Sequence, residues 1–127
     1  MAISPATYDM TVQRRSDHSI QLVFKDSSNN AIDLTGFTVA AQVWEETRTT
    51  KYADFAVTYT NRSTGTVDIA LTDTQTATFS PNVLKYDVLL TNGSGLKEYY
   101  LEGNIFVSEG YTAWIQLLFQ RQEIQYQ

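Results

Sequence analysis

The chain contains a single histidine, the residue type best suited to acid–base chemistry near neutral pH. His18 lies between Asp17 and Ser19, which together supply the residue types of a hydrolytic triad. Successive side chains of a strand point to opposite faces, so these three neighbours do not converge through adjacency alone. The sequence therefore favours a histidine at a turn or strand edge over a general base.

Oxygen-bearing side chains cluster in the turn that follows, at Asp26, Asn29, Asn30 and Asp33. Carboxylate and amide oxygens are the ligands that Ca²⁺ prefers. The spacing, however, lacks the D-x-[DN]-x-[DN]-G loop with its closing Glu. Short polar side chains also bond to the backbone of ordinary turns, so we expect a polar turn and no bound metal.

Carboxylates and aromatic side chains raise the question of sugar chemistry. Glu45, Glu46, Asp87 and Glu98 offer carboxylates of the kind that glycosidases use, but nothing in their spacing places two of them across a cleft. The 8 Tyr and 2 Trp residues could stack on sugar rings. Most of these aromatics fall at apolar strand positions, where we expect them to fill the core.

Composition narrows the function classes further. The 127 residues include no Cys, which excludes disulfides, thiolate nucleophiles and Cys-ligated metal clusters. The 9 basic and 14 acidic residues give a net charge of −5, too little positive charge for the basic face of a nucleic-acid binder. No secretory signal and no membrane-length apolar stretch is apparent. We therefore expect a protein that is not an enzyme, has no cofactor, and binds neither nucleic acid nor membrane.

The sequence predicts that these residues lie on or between strands, because apolar residues recur with a period of two. Polar turns separate the strands, and no amphipathic helix lies among them. The pattern predicts an all-β fold, an antiparallel immunoglobulin-like β-sandwich of about seven strands with a C-terminal arm. The predicted strands span residues 8–12, 20–24, 37–43, 55–59, 67–71, 84–90 and 96–107.

Several connections have their own predictions. Residues 45–53 are polar and of mixed charge, which indicates a long loop. Residues 73–79 suit one helical turn with Thr72 or Asp73 as its N-cap. Residues 92–95 are the clearest hairpin turn of the chain.

Two residues within the predicted strands leave alternatives open. Gly103 interrupts the last strand and indicates either a bulge or a point of close packing. Tyr86 follows the helical turn, where it could be a corner tyrosine or an ordinary core aromatic.

Residues 111–127 depart from the alternation of apolar and polar residues that predicts the strands. We predict a sandwich domain over residues 1–110 and a docking arm or edge strand over residues 111–127. The sequence of this segment is compatible with a strand or with a helix. It could be a last edge strand folded back on its own domain, or an arm that docks on a neighbouring subunit. Its candidate interaction residues are large and apolar: Trp114, Ile115, Leu117, Leu118, Phe119, Ile124 and Tyr126.

Two stretches carry a resemblance to a known family. Residues 32–38 read Ile-Asp-Leu-Thr-Gly-Phe-Thr, and a Tyr-Asp-Val-Leu stretch from Tyr86 precedes Leu-Glu-Gly-Asn-Ile-Phe-Val at 101–107. Over residues 7 to 108 the chain resembles the immunoglobulin-like N-terminal domain of tailed-phage upper baseplate and tail-fibre proteins. In that pattern Asp33 caps the bend, Gly36 permits its backbone, and Gly103 lets the last strand approach its partner closely.

The resemblance implies a bacteriophage virion structural protein, synthesised in the host bacterial cytoplasm. The leading expectation is a tail- or baseplate-associated adaptor, present in several copies and acting through contacts with other virion proteins. Two alternatives remain open, a capsid decoration protein and a surface carbohydrate-binding module that would use Trp44 or Trp114.

Overall fold

A computed structural model describes residues 6–110, which form strands with one short α-helix and one 3₁₀ turn. The helix α1 spans Asp73–Thr76 and the 3₁₀ turn spans Arg62–Thr64. The strands are β1 (Ala6–Thr7), β2 (Met10–Gln13), β3 (His18–Val23), β4 (Thr38–Trp44), β5 (Lys51–Asp54), β6 (Ala56–Asn61), β7 (Thr66–Leu71), β8 (Val83–Thr91) and β9 (Lys97–Ser108).

The strands form two sheets. The larger sheet has the order β1–β9–β8–β4–β5, with β2 also paired to β9, and the smaller sheet has the order β3–β7–β6. In immunoglobulin terms, β3, β7 and β6 correspond to strands B, E and D, and β4, β8 and β9 to strands C, F and G. The strand order thus confirms the predicted all-β, immunoglobulin-like sandwich.

One feature of the pairing differs from a wholly antiparallel sandwich. β1 and β2 run parallel to β9, with Ala6 opposite Leu101 and Met10 opposite Ile105. The other strand pairs within the described residues are antiparallel. The first strands, β1 and β2, therefore lie beside the last strand, β9, and pair with residues that are 95 positions away in the sequence.

The core lies between the two sheets and follows the period of two. Strand β8 alternates buried and half-buried positions along most of its length, and β4 and β7 do the same. This is the pattern expected when one face of each sheet is covered by the other. The largest fully buried side chains are Phe24, Phe79, Leu34, Ile69, Leu71, Leu84 and Ile105.

The prediction of a loop over residues 45–53 is wrong at its end, because β5 pairs with β4 there. Ala53 is the one buried residue of β5, and Lys51 and Asp54 are exposed. A four-residue edge strand with a single buried side chain leaves almost no apolar alternation in the sequence. The helical turn is confirmed, with Thr72 as the N-cap in a capping box with Gln75.

Candidate interaction surfaces

The bend between β3 and β4 is built by side chains that bond to the backbone. Asp33 Oδ1 accepts hydrogen bonds from the Thr35 amide at 3.0 Å and the Thr35 hydroxyl at 2.7 Å, and these bonds lower the pKa of Asp33. Gly36 has a φ of +82°, a conformation that L side chains rarely adopt. Arg62 donates to backbone carbonyls within the same bend. Asp33 and Gly36 therefore lie in a turn whose contacts are structural.

Gly103 lies on β9 between the stretches that pair with β1 and with β2. A Cβ atom at this position would lie 2.0 Å from the carbonyl oxygen of Tyr8. The hydroxyl of Tyr86 donates a hydrogen bond to that same oxygen, and burial raises the pKa of Tyr86. Of the two alternatives for Gly103, the structure has the close approach. Tyr86 is a core aromatic, edge-on to Phe55 at 6.1 Å, and its hydroxyl holds the first strand in place.

The register shift between β8 and β9 falls at Tyr100, opposite the Val88–Leu89 step, and not at Gly103. The Tyr100 ring stacks on Phe24 with the ring centres 4.4 Å apart. Its hydroxyl accepts from the Lys25 amide and donates to the Lys25 carbonyl, both at 2.7 Å. The bulge thus turns one side chain of the larger sheet into a link to the end of β3.

The outer face of the larger sheet carries a shallow cavity of about 240 Å³, which we call the Trp44 cleft. The Trp44 indole N–H donates to Gln42 Oε1 at 2.9 Å, and the Arg48 guanidinium lies 4.8 Å from the centre of the Trp44 ring. Tyr99 is 52% exposed. The cleft is lined by Gln42, Trp44, Glu45, Glu46, Arg48, Lys85, Tyr86, Asp87 and Tyr99.

The cross-strand register explains this gathering. Gln42 and Trp44 lie opposite Asp87 and Lys85, so four side chains of β4 and β8 share one face. Burial raises the pKa of Asp87, as does the charge of Glu102 directly opposite on β9. The cleft therefore combines aromatic, amide and carboxylate groups.

Three of the four candidate glycosidase carboxylates line the same cavity. Glu45, Glu46 and Asp87 line the Trp44 cleft, and Glu98 does not. Glu45 Oε1 accepts from the hydroxyls of Thr47 and Thr49, and these bonds lower its pKa. Glu45 thus holds the conformation of its own loop.

The structure separates the three residues around His18. Asp17 Oδ1 accepts from the Asp73 amide at 2.8 Å, at the start of α1. His18 is half-buried, and burial lowers its pKa. Ser19 is exposed, on the opposite face of β3. This arrangement does not bring the three together as a catalytic triad.

The polar turn after β3 is held by its first residue. Asp26 Oδ1 accepts from the Ser28 amide at 2.9 Å and from the Asn30 amide at 3.0 Å. Within residues 6–110, no group of three or more His, Cys, Asp or Glu side chains could hold a metal ion. No helix in this range is long and apolar enough to cross a membrane.

A second surface lies where the two sheets meet, between β1 and the outer edge of β3. We call it the edge seam, a groove of about 460 Å³. Tyr8 and Val23 at its rim are 50% and 46% exposed, and Ile20 and Leu22 are half-buried. Sequence reasoning missed this surface. The groove is lined by Ala6, Thr7, Tyr8, Ile20, Gln21, Leu22, Val23 and Leu101.

The end of the described chain is anchored close to the start of β3. Arg14 and Arg15 both form ion pairs with Glu109, the first at 2.7 Å. Arg15 also donates to the carbonyl of Gly110. These contacts lower the pKa of Glu109 and anchor Gly110, the last described residue.

The predicted arm lies outside the described residues, so its boundary at residue 110 and its interaction residues remain predictions. Those residues are Trp114, Ile115, Leu117, Leu118, Phe119, Ile124 and Tyr126.

Comparisons with known proteins identify no family for this chain. No protein-family model and no curated protein matches the chain. Among solved structures, the chain is similar to the crystal structure of the Lin-41 filamin domain. The two are 14% identical, the match covers 79% of this chain and 84% of that one, and the TM-score is 0.45.

Proposed function

We propose that this chain is a bacteriophage virion structural protein without enzymatic activity, a tail- or baseplate-associated adaptor that acts through protein–protein contacts. The observation that carries the proposal is the edge seam, an apolar groove that the described residues leave open. Soluble proteins seldom expose connected apolar surface unless a partner covers it. The resemblance of residues 32–38 and 101–107 to phage baseplate domains supports the assignment to a virion.

Other described features agree with an assembly role. Asp33, Gly36 and Gly103, which carry part of that resemblance, all serve turns and strand crossings. The titratable residues around His18 serve helix capping and packing. The edge seam is therefore a better candidate for function than these residue clusters.

Particle composition tests the proposal. Deleting residues 112–127 should leave a folded domain but remove the protein from purified particles, measured by quantitative mass spectrometry. The full-length double variant Leu117→Asp/Phe119→Asp should show the same loss, because charges would oppose burial of the arm. Normal occupancy of either variant would contradict the proposal. Copy number and symmetry in an electron-microscopy map of the particle would separate a tail adaptor from a capsid decoration protein.

A second candidate function is carbohydrate binding, favoured by the Trp44 cleft. Aromatic rings beside amide and carboxylate groups suit a sugar, whose C–H face stacks while its hydroxyls form hydrogen bonds. If this is correct, a glycan array should detect binding that Trp44→Ala abolishes and Phe106→Ala preserves. Phe106 is a suitable control because it is an exposed aromatic on the same sheet that does not line the cleft. An array with no hits would remove this candidate.

A further inference from the structure

We propose that the edge seam receives residues 113–119 of a second copy of this chain, added as an antiparallel strand beside β3. The inference rests on the proposed function, because it takes the arm to be a contact between neighbouring copies. It goes further by naming both sides of that contact.

Within residues 6–110, the outer edge of β3 lacks the protection that natural sheets give to exposed edges. Such edges are normally short, charged, bulged or covered. β5 has four residues, with an ion pair between Lys51 and Asp54. β6 has a register shift, and its Tyr59 is covered by Arg62 at 3.7 Å from the ring centre. β3 has six residues in unbroken register with β7, and none of them is Asp, Glu, Lys or Arg.

The hydrogen-bonding groups along this edge can be assigned. The Phe24 amide donates to the Gly65 carbonyl across from β7. Because hydrogen-bonded pairs alternate in an antiparallel ladder, Leu22 and Ile20 also bond toward β7. The amides and carbonyls of Ser19, Gln21 and Val23 therefore face the open edge. A strand added there would meet a regular row of donors and acceptors.

The arm has side chains of the right type at the right spacing. Ile115 and Leu117 share one parity, and Trp114 and Gln116 share the other. An antiparallel register that sets Gln116 opposite Gln21 has a consistent pattern along its length. It pairs Leu117 with Ile20, Ile115 with Leu22, and Trp114 with the exposed Val23.

The anchored chain end indicates that this strand comes from another copy. Gly110 is held by Arg15, before the start of β3, whereas Val23 lies at its far end. The four residues from Gly110 to Trp114 span at most ~14 Å, and β3 rises ~17 Å from His18 to Val23. In the proposed register a chain's own Trp114 therefore cannot reach Val23, and its own residues 113–119 could lie beside β3 only in the parallel direction, which is the less stable pairing. A second copy has no such restriction.

The absence of Cys from the chain permits a clean cross-linking test. Full-length Gln21→Cys and full-length Gln116→Cys proteins are mixed, oxidised mildly and separated on a non-reducing gel. Opposed strand residues meet the Cα separation that a disulfide needs. We expect a disulfide-linked heterodimer at least tenfold more abundant than in a mixture of Thr58→Cys and Gln116→Cys. Thr58 is the matched control because it is exposed on β6, the other edge of the same sheet.

Three results would overturn the inference. One is a heterodimer no more abundant than in the Thr58 control, and another is a yield unaffected when Leu117→Asp is added to the Gln116→Cys protein. The third is a Gln21→Cys/Gln116→Cys double variant that forms the disulfide between these two positions but migrates only as a monomer on the non-reducing gel. A positive cross-link in a protein missing from particles would instead contradict the proposed function and leave this contact standing.

Discussion

At the scale of single residues, two glycines of the sequence motifs meet different physical requirements. Gly36 adopts a positive φ in open space, with nothing within 4 Å of a Cβ atom placed there. Gly103 has no positive φ, but a Cβ atom would collide with the backbone of Tyr8. Backbone conformation requires the first glycine and close packing requires the second. A sequence alone shows only that both are glycine.

Asp87 allows a prediction about pH. Its folded-state pKa lies above the ordinary value of 3.8, chiefly through burial and then through the charge of Glu102. A carboxyl group with a raised folded-state pKa contributes stability that is present below the unfolded pKa and lost as pH rises through the folded pKa. Asp87→Asn should therefore raise the free energy of unfolding at pH 7 by about 0.2–1 kcal/mol, the range for a cross-strand pair.

Urea denaturation of both proteins between pH 3 and pH 7 checks this prediction. The advantage of Asp87→Asn should disappear below about pH 4, where the unfolded-state carboxyl is protonated in the wild type. Glu102→Gln removes the like charge that lies opposite Asp87 and should give a smaller increase in the free energy of unfolding. A variant less stable than the wild type at pH 7 would show that the Asp87 carboxylate forms a favourable contact.

At the scale of elements, the sequence predicts the long strands and the hairpin at residues 92–95 well, and the pairing of strands distant in sequence poorly. β4 and β8 alternate apolar and polar residues over most of their length, so one buried face determines them. β5 is missed because an edge strand with one buried residue has no such pattern. The parallel pairing of β1 and β2 with β9 depends on contacts 95 residues apart in sequence, which local periodicity does not record.

The candidate surfaces also depend on the pairing of strands that are distant in the sequence. Trp44 is recognisable in the sequence as an aromatic candidate, but Asp87 and Tyr99 join it only through the register of three strands. The edge seam depends on β3 lying at the end of its sheet, a property of topology and not of the residues in β3. Side-chain chemistry was therefore predictable, and its grouping into surfaces was not.

The bulge at Tyr100 gives an element-scale prediction. Tyr100→Phe keeps the ring stacked on Phe24 but removes both hydrogen bonds to Lys25. We expect a loss of about 0.5–1.5 kcal/mol in the free energy of unfolding, because water replaces part of what is removed. Equilibrium urea denaturation measures this loss. Tyr99→Phe, at an exposed ring with no such link, should change stability by less than about 0.5 kcal/mol. Equal losses in both variants would contradict a specific role for the bulge.

At the scale of the whole molecule, the core of the described residues and the proposed docking arm occupy separate parts of the chain. The buried side chains of the described sandwich belong to residues 10–107 and fill the space between the sheets. The edge seam lies along the outer edge of β3, and Gly110, the last described residue, is held by Arg15 before the start of that strand. Stability and assembly should therefore respond to different deletions.

This separation predicts a difference in concentration dependence. A chain ending at Gly110 should unfold cooperatively, with a melting temperature independent of protein concentration, because it keeps every buried side chain of the described sandwich. The full-length chain should melt at higher temperature as concentration rises, since association with a second copy stabilises the folded state by mass action. Differential scanning calorimetry over a hundredfold range of concentration measures both. Full-length Leu117→Asp should behave like the truncated chain. A truncated chain without a cooperative transition would place residues 111–127 in the sandwich's own core, where a docking arm could not also be.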